Sequence, residues 1–403
     1  MKKFLKYSLW TFLGLLVIII IVGLINREKI IRLYNVNNLF TEEKIISNFS
    51  SMNKLFISTN LPKSGDVYQW QQAPKPLPAS FNFKDEKYNI EQYLNDTRTT
   101  SFLVVNDGKI IFENYYLGTN VDDRRISWSV AKSFLSAMFG IAVGEGKIAS
   151  LDDAVTKYVP ELAQSAYNGV TIRNVLNMAS GVEFDEDYLD YESDINRMGR
   201  VLALGGSMDK FAQGIVAKAR KAGEIRQYVS IDTHVLAMVL RAATGKSLSE
   251  LFVENLWSKL GAGADAYYVT DGKKVAFALG GLNLRTRDYA LFGQLFLQNG
   301  KWNNEQIIPL DWAVESVKNN APSPNYSGEA FGYGYQWWLP INANEEFFAI
   351  GIYGQYIYIN RKLGVVIVKT SADRNFRNDG ADGDLIKQKT IEMFRAIARD
   401  VSD

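Results

Sequence analysis

Ser129 and Lys132 stand three residues apart where an apolar, small-residue stretch begins, RRISWSVAKSFLSAMFGIAVGEGKI (residues 124–148). On a helix, positions i and i+3 share a face, so the lysine falls beside the serine. A serine hydroxyl is a weak nucleophile until a neighbouring base takes its proton. A lysine is such a base only when its pKa is lowered, and partial burial lowers it by penalising the ammonium. A helix N-terminus acts in the same direction, because its backbone N–H groups and dipole oppose a cation and favour an oxyanion. As a bare pattern the pair also fits a capping serine and a lysine whose stem snorkels along apolar surface.

Composition removes the main competing chemistries. There is no cysteine, so thiol catalysis, disulfides and cysteine–zinc sites are excluded. The single histidine, His234, excludes a His-based metal cluster, and no metal or cofactor is expected. His234 also lies six residues past Tyr228 along an expected helix, on a different face, so a structural role is expected for it and a Ser–His–Asp triad is not. With 45 basic and 44 acidic residues the net charge is +1, which provides no field for nucleic acid. The 403 residues, 47% of them hydrophobic, are ample for a large core.

The elements that must position the pair can be read along the chain. YSLWTFLGLLVIIIIVGLI (residues 7–25) carries no charge and follows the basic MKKFLK. At about 1.5 Å per residue it reaches roughly 28 Å, close to the hydrocarbon thickness of a bilayer. No A-x-A cleavage pattern follows it, so residues 1–28 read as an uncleaved, single-pass signal-anchor in the cytoplasmic membrane, with a cleaved signal peptide as the alternative. Lys2, Lys3 and Lys6 favour a cytoplasmic N-terminus, with the rest of the chain on the periplasmic or extracellular side, although Arg27, Lys29 and Arg32 compete. Residues 29–95 read as a linker and wrapping extension. SFLVVNDGKIIFENYY (101–116) is a β-hairpin signal, with Asn106-Asp107-Gly108 as its turn. Helices are expected over 129–146, over 171–182 with Gly181 closing it, and over 232–245 within a largely helical stretch of about 166–275. Strands are expected over 333–341, 353–361 and 364–371, and an amphipathic helix over 385–401. The order implies an α+β fold: an antiparallel sheet flanked by N- and C-terminal helices, with an all-helical insertion.

SWSVAKSF after a hairpin, then GIAVGEGKIASLDDAVTKYVPEL, VTIRNVLNMASGV, YVSIDTHVLAMVLRAATGKSL, GGLNLRTRDYALFGQLFLQNGKWNNEQIIP and GIYGQYIYI resemble the serine β-lactamase and penicillin-binding-protein superfamily. The resemblance runs over about residues 95–400, so residues 96–403 are expected to form the hydrolase domain. It points to the class C-like branch, which includes esterases and 6-aminohexanoate-dimer hydrolases. It implies a β-lactamase/transpeptidase-like fold and three motifs. Ser129-Val130-Ala131-Lys132 matches S-x-x-K. Tyr228-Val229-Ser230 matches the Tyr-x-Ser form of the second motif; Tyr228 would share proton handling with Lys132, and Ser230 would hydrogen-bond Lys132. The third, Lys-Thr-Gly in the family, aligns with Ala349-Ile350-Gly351, where this chain lacks the lysine. Lys369-Thr370-Ser371 imitates that motif but lacks its glycine. Gly351 would let substrate approach the strand edge, and Tyr353 would line the substrate. The backbone N–H groups of Ser129 and Ile352 would form the oxyanion hole. Tyr188, in the acidic stretch FDEDYLDYESD, resembles a second tyrosine that holds the amide nitrogen; the stretch itself reads either as a solvated loop or as a mobile lid.

The resemblance implies a serine hydrolase acting through an acyl-enzyme on a small ester or amide, and the apolar run at residues 7–25 adds a membrane anchor. A D-Ala-D-Ala-type carboxypeptidase or weak β-lactamase is an alternative that the missing third-motif lysine disfavours. A catalytically silent binding or sensor domain of the same fold is another, disfavoured by the intact Ser129, Lys132 and Tyr228.

Overall fold

The computed structural model describes residues 2–322, 330–340, 345–376 and 384–402. The expected hairpin is its central feature. Thr99–Asn106 pairs antiparallel with Lys109–Tyr115 across a turn in which Asp107 and Gly108 both take positive φ, 46° and 75°. That is the turn geometry whose twist matches a right-handed strand pair. Val365–Ser371 pairs on the other edge of Thr99–Asn106 and continues a sheet of eight strands. From one edge they run Phe331–Tyr333, Trp338–Pro340, Glu346–Gly351, Gln355–Asn360, Val365–Ser371, Thr99–Asn106, Lys109–Tyr115 and Gln71–Gln72. All neighbours are antiparallel except the last short pair.

Helices cover both faces, because the central strands are apolar on both sides. Against one face lies Asp384–Ser402, whose Phe394 stacks on Phe102 at 6.1 Å between ring centroids. Against the other lies Thr286–Leu297. Gly293 permits this close approach, since a Cβ there would sit 2.5 Å from Val366 Cγ1. Phe292 of that helix stacks on Phe134 at 3.7 Å, which ties Ala131–Gly144 into the same core. Apart from Lys132, Ser133 and Ser136, Ala131–Gly144 is apolar on every face and is buried, with Trp312 packed where a Gly140 Cβ would be.

A second, four-stranded antiparallel sheet joins Ser58–Leu61, Ala266–Val269, Leu282–Leu284 and Arg125–Ile126. Its last strand feeds directly into the turn that carries Ser129. Arg125 is 1% exposed and reaches back to the Ile46 carbonyl at 2.6 Å and to Ser50 Oγ at 2.8 Å, clasping the N-terminal segment onto the core.

Several expected elements come out differently. The helix expected over 171–182 spans only Ile172–Leu176, because the chain turns left-handed at Met178 (φ 55°) as well as at Gly181 (φ 75°). The strand expected over 333–341 is broken in two by a turn at Gly334–Trp337 with Gln336 at φ 65°; residue 341 lies outside the described residues. The stretch expected to be all-helical to about 275 ends in the strand Ala266–Val269. Within 29–95 the chain forms Ile45–Phe49 and adds Ser58–Leu61 to the second sheet. Lys2–Ile25 is a helix long and apolar enough to cross a membrane, with its apolar side chains exposed. Arg27–Asn37 continues from it and packs on Asp194–Ala203, where Arg32 Nε donates to the Ala203 carbonyl at 2.8 Å.

Candidate active site

Ser129 sits in the 3₁₀ turn Trp128–Val130 that opens the buried helix Ala131–Gly144. Lys132 Nζ lies 2.9 Å from Ser129 Oγ and donates to the Leu279 carbonyl at 3.0 Å. The lysine is 1% exposed. Burial pulls its pKa from 10.5 down to about 7, with the charge of Glu186 acting in the opposite sense. Near neutrality a sizeable fraction is therefore the free amine, whose lone pair can take the Ser129 proton across the contact already made.

Tyr228 precedes the helix Ser230–Thr244, and its ring is fixed by stacking on Trp338 at 5.5 Å and an edge contact with Tyr333 at 6.4 Å. Lys132 Nζ stands 5.1 Å from the Tyr228 ring centroid. Burial raises the phenol well above its ordinary value, and the Glu186 charge adds to this, while contacts with Ser129 and Ser230 work against it. Tyr228 is thus a neutral hydroxyl beside Ser129, suited to passing a proton on and unsuited to being the base.

The strand Glu346–Gly351 ends against the turn that carries Ser129. A Cβ on Gly351 would fall 2.6 Å from the Ser127 carbonyl and 3.2 Å from the Ser129 nitrogen, so only glycine allows this approach. Among the described residues, neither the Ser129 nor the Ile352 amide donates to a protein acceptor. The residues beside them, Trp128 (φ 43°) and Tyr353 (φ 60°), hold left-handed backbone that costs about 1–3 kcal/mol each for a non-glycine residue. Aromatic packing locks both in place: Tyr353 stacks on Phe40 at 4.7 Å, and Trp128 meets Phe49 at 5.5 Å.

Glu186 is the residue that sequence reasoning missed. It is half-buried, accepts from the Ser230 backbone N–H and, at 3.2 Å, from Ser230 Oγ, and accepts from the Tyr188 hydroxyl at 2.8 Å. Burial raises its pKa and the Lys132 charge lowers it. The expected Ser230–Lys132 hydrogen bond is accordingly not formed; Ser230 turns to Glu186, and Leu279 takes its place at the lysine. Neither partner carried a signal, since Leu279 acts through its backbone and Glu186 is one carboxylate in an acidic run.

Ala349 is 1% exposed within its strand, and Lys369 lies two strands away, buried, with Nζ on Ser371 Oγ. Lys369 nevertheless lines the same cavity as Ser129, with Asp373 nearby; burial lowers its pKa to about 8. That cavity, about 640 Å³, also takes in Glu186, Tyr188, Tyr228, Gly351 and Ile352. His234 is outside it, buried, with Nε2 2.8 Å from Asp209 Oδ1; Asp209 is in turn held by Arg241 at 2.7 Å.

The profile of the Beta-lactamase family matches residues 88–390. A curated 6-aminohexanoate-dimer hydrolase from Paenarthrobacter ureafaciens is 32% identical over 296 residues, covering 70% of this chain and 75% of that one. Among solved structures, a protein from Bacillus anthracis named as a 6-aminohexanoate-dimer hydrolase superposes with a TM-score of 0.80 at 26% identity, over 90% of this chain and 96% of that one. A protein from Bacteroides dorei named as a β-lactamase shares the fold, with a TM-score of 0.61 at 20% identity over 76% of this chain and 97% of that one.

Proposed function

The chain belongs to the Beta-lactamase family of serine hydrolases, and from that premise we propose that it cleaves small esters or amides through an acyl-enzyme on Ser129. The observation that carries the reading is the 2.9 Å contact between Ser129 Oγ and a lysine whose pKa burial has brought to about 7. Neutral Lys132 accepts the Ser129 proton as Oγ attacks the substrate carbonyl. The oxyanion forms at the unpaired amides of Ser129 and Ile352, each donor worth about 3 kcal/mol in comparable sites. Collapse expels the leaving group, which takes a proton through the Tyr228 hydroxyl as Lys132 resupplies it. Water then attacks the acyl-enzyme, giving its proton to the same relay, and Ser129 is regenerated. Tyr188 and Glu186 border the leaving-group side.

We further propose that Lys2–Ile25 anchors the chain in the cytoplasmic membrane with the site on the periplasmic or extracellular side, which its exposed apolar surface supports. Protease added to spheroplasts is expected to digest residues 40–403; full protection would contradict that orientation. A second reading draws on Lys369, a cation on the cavity wall where a substrate carboxylate would be received, as on a D-Ala-D-Ala peptide or a β-lactam. The primary reading expects kcat/KM for p-nitrophenyl acetate to exceed that for a cephalosporin. The reverse order, abolished by Lys369→Ala, would establish the second. A fluorophosphonate probe that labels the wild type and not Ser129→Ala tests the nucleophile itself.

A further inference from the structure

A second cavity, about 400 Å³, also reaches Ser129, and Tyr228 is not among the residues that line it. Ser129, Tyr188 and Ile352 belong to both cavities, so the nucleophile and one oxyanion donor stand where the two meet. Their chemistry differs. The larger one carries Glu186, Arg226, Lys369, Asp373 and Lys387. The smaller one is walled mainly by apolar side chains, among them Phe40, Met52, Phe56, Met198 and Leu202. An acyl-transfer site must place the two halves of its substrate on either side of the carbonyl. One side sets charged groups among apolar ones such as Phe331, Trp338 and Ile350, whereas the other is more largely apolar.

Resting on the serine-hydrolase reading above, we propose that the smaller cavity receives the acyl part of the substrate, as an unbranched hydrocarbon chain, while the larger cavity holds the leaving group. Three features carry the assignment. The cavity begins at the reacting serine, so a chain bound in it is already attached at the right atom. Polar side chains on its wall are engaged elsewhere: Arg200 donates to the Tyr191 carbonyl, Asn196 to the Tyr188 carbonyl and Ser230 to Glu186. Val36 and Leu39 reach it from the segment that follows the apolar helix Lys2–Ile25, through Arg27–Asn37, and Arg27–Asn37 packs on Asp194–Ala203, the helix that brings Met198, Gly199 and Leu202 to the same cavity. Arg27–Asn37 itself is about 16 Å long. The cavity is therefore built in part by the chain that would emerge from a bilayer, and an acyl chain can come either from a membrane lipid or from a soluble acylated compound.

The test is kcat/KM of the full chain on p-nitrophenyl acetate, butyrate, octanoate and dodecanoate, below the micelle threshold. Each buried methylene is expected to raise kcat/KM about fourfold until the cavity is full, so octanoate should exceed acetate by roughly a hundredfold or more. Gly199 lines the cavity, and a Cβ added there meets nothing within 4 Å. Gly199→Trp should lower the octanoate-to-acetate ratio at least tenfold by filling the space. A flat or falling series in the wild type, or a variant that leaves the ratio unchanged, would overturn the assignment. The wild-type series alone decides the matter if the variant does not fold. If Ser129 is not labelled by a fluorophosphonate, the serine-hydrolase reading fails first; labelling with no chain-length dependence defeats only this inference. With phosphatidylglycerol vesicles as a further substrate, release of fatty acid assigns the chain to a bilayer source, and turnover confined to the p-nitrophenyl esters assigns it to a soluble one.

Discussion

The helix Ala131–Gly144, which carries Lys132, is buried without interruption from Ala131 to Ala142, whereas the segment that brings Glu186 and Tyr188 to the same cavity is mostly exposed. That segment is shaped by its own carboxylates, with the Asp187, Leu189 and Glu192 amides bonded to Asp185, Asp187 and Asp190, each at 2.9 Å. The two are held by different means, and under the proposed mechanism they have different tasks. Proton transfer between Ser129 and Lys132 requires atoms fixed within a fraction of an ångström, which close packing provides. Contact with a substrate tolerates a wall of lower local stability. Burial also sets the lysine's pKa, so the same packing supplies position and basicity together.

That contrast can be broken most directly at the serine. Ser129→Ala is expected to cut kcat/KM by about 10⁴-fold or more, measured on p-nitrophenyl acetate, with the melting temperature near wild type because a small hydroxyl contributes little packing. Lys132→Ala should lose a comparable factor, and the double variant should be little worse than either single one, since the two act as one unit. Multiplicative losses would show that they act independently. Lys132→Met separates chemistry from folding. The unfolded lysine titrates near 10.5 and the folded one near 7, so its burial costs stability that accumulates as pH falls from 10.5 to 7 and is constant below. Activity should vanish in this variant while the melting temperature at pH 7 stays at or above wild type; a large fall would mean the lysine is structural.

Tyr228→Phe should cost about 10²–10⁴-fold, the range of a removed general acid or relay, and the loss should be larger for an anilide than for a p-nitrophenyl ester, whose leaving group needs no proton. Equal losses on both would remove Tyr228 from proton handling. On the exposed wall the effect should be small. Tyr188→Phe deletes the 2.8 Å bond to Glu186, worth about 1 kcal/mol, and kcat/KM should fall roughly fivefold. A loss near that of Tyr228→Phe would place Tyr188 within the chemistry and erase the distinction between the walls.

The same division governs what was legible in the sequence. The hairpin turn at Asp107-Gly108 and the shared face of Ser129 and Lys132 are local consequences of turn chemistry and helical period. The apposition of Gly351 with Ser129 needs only the glycine and the resemblance to place it. Glu186 depends on a loop closing over the start of Ser230–Thr244, and no spacing distinguishes it from Asp185 or Asp187. Met178 and Gln336 take positive φ without being glycine, so the breaks they introduce in the expected helix and strand have no local signature. Lys369-Thr370-Ser371 lacks the motif's glycine and, in sequence, falls on what looks like the strand after Ala349; sheet register places it two strands away and still on the cavity wall.

The central claim, that a neutral Lys132 activates Ser129, is tested most directly by the pH dependence of the second-order rate of fluorophosphonate labelling in wild type and Glu186→Gln. The rate should rise with pH through an inflection near 7, as the lysine loses its proton. Glu186→Gln removes the charge that holds the ammonium, so the inflection should move to lower pH while Ser129 remains the labelled residue. An inflection near 10, or a profile that Glu186→Gln leaves in place, would contradict the account.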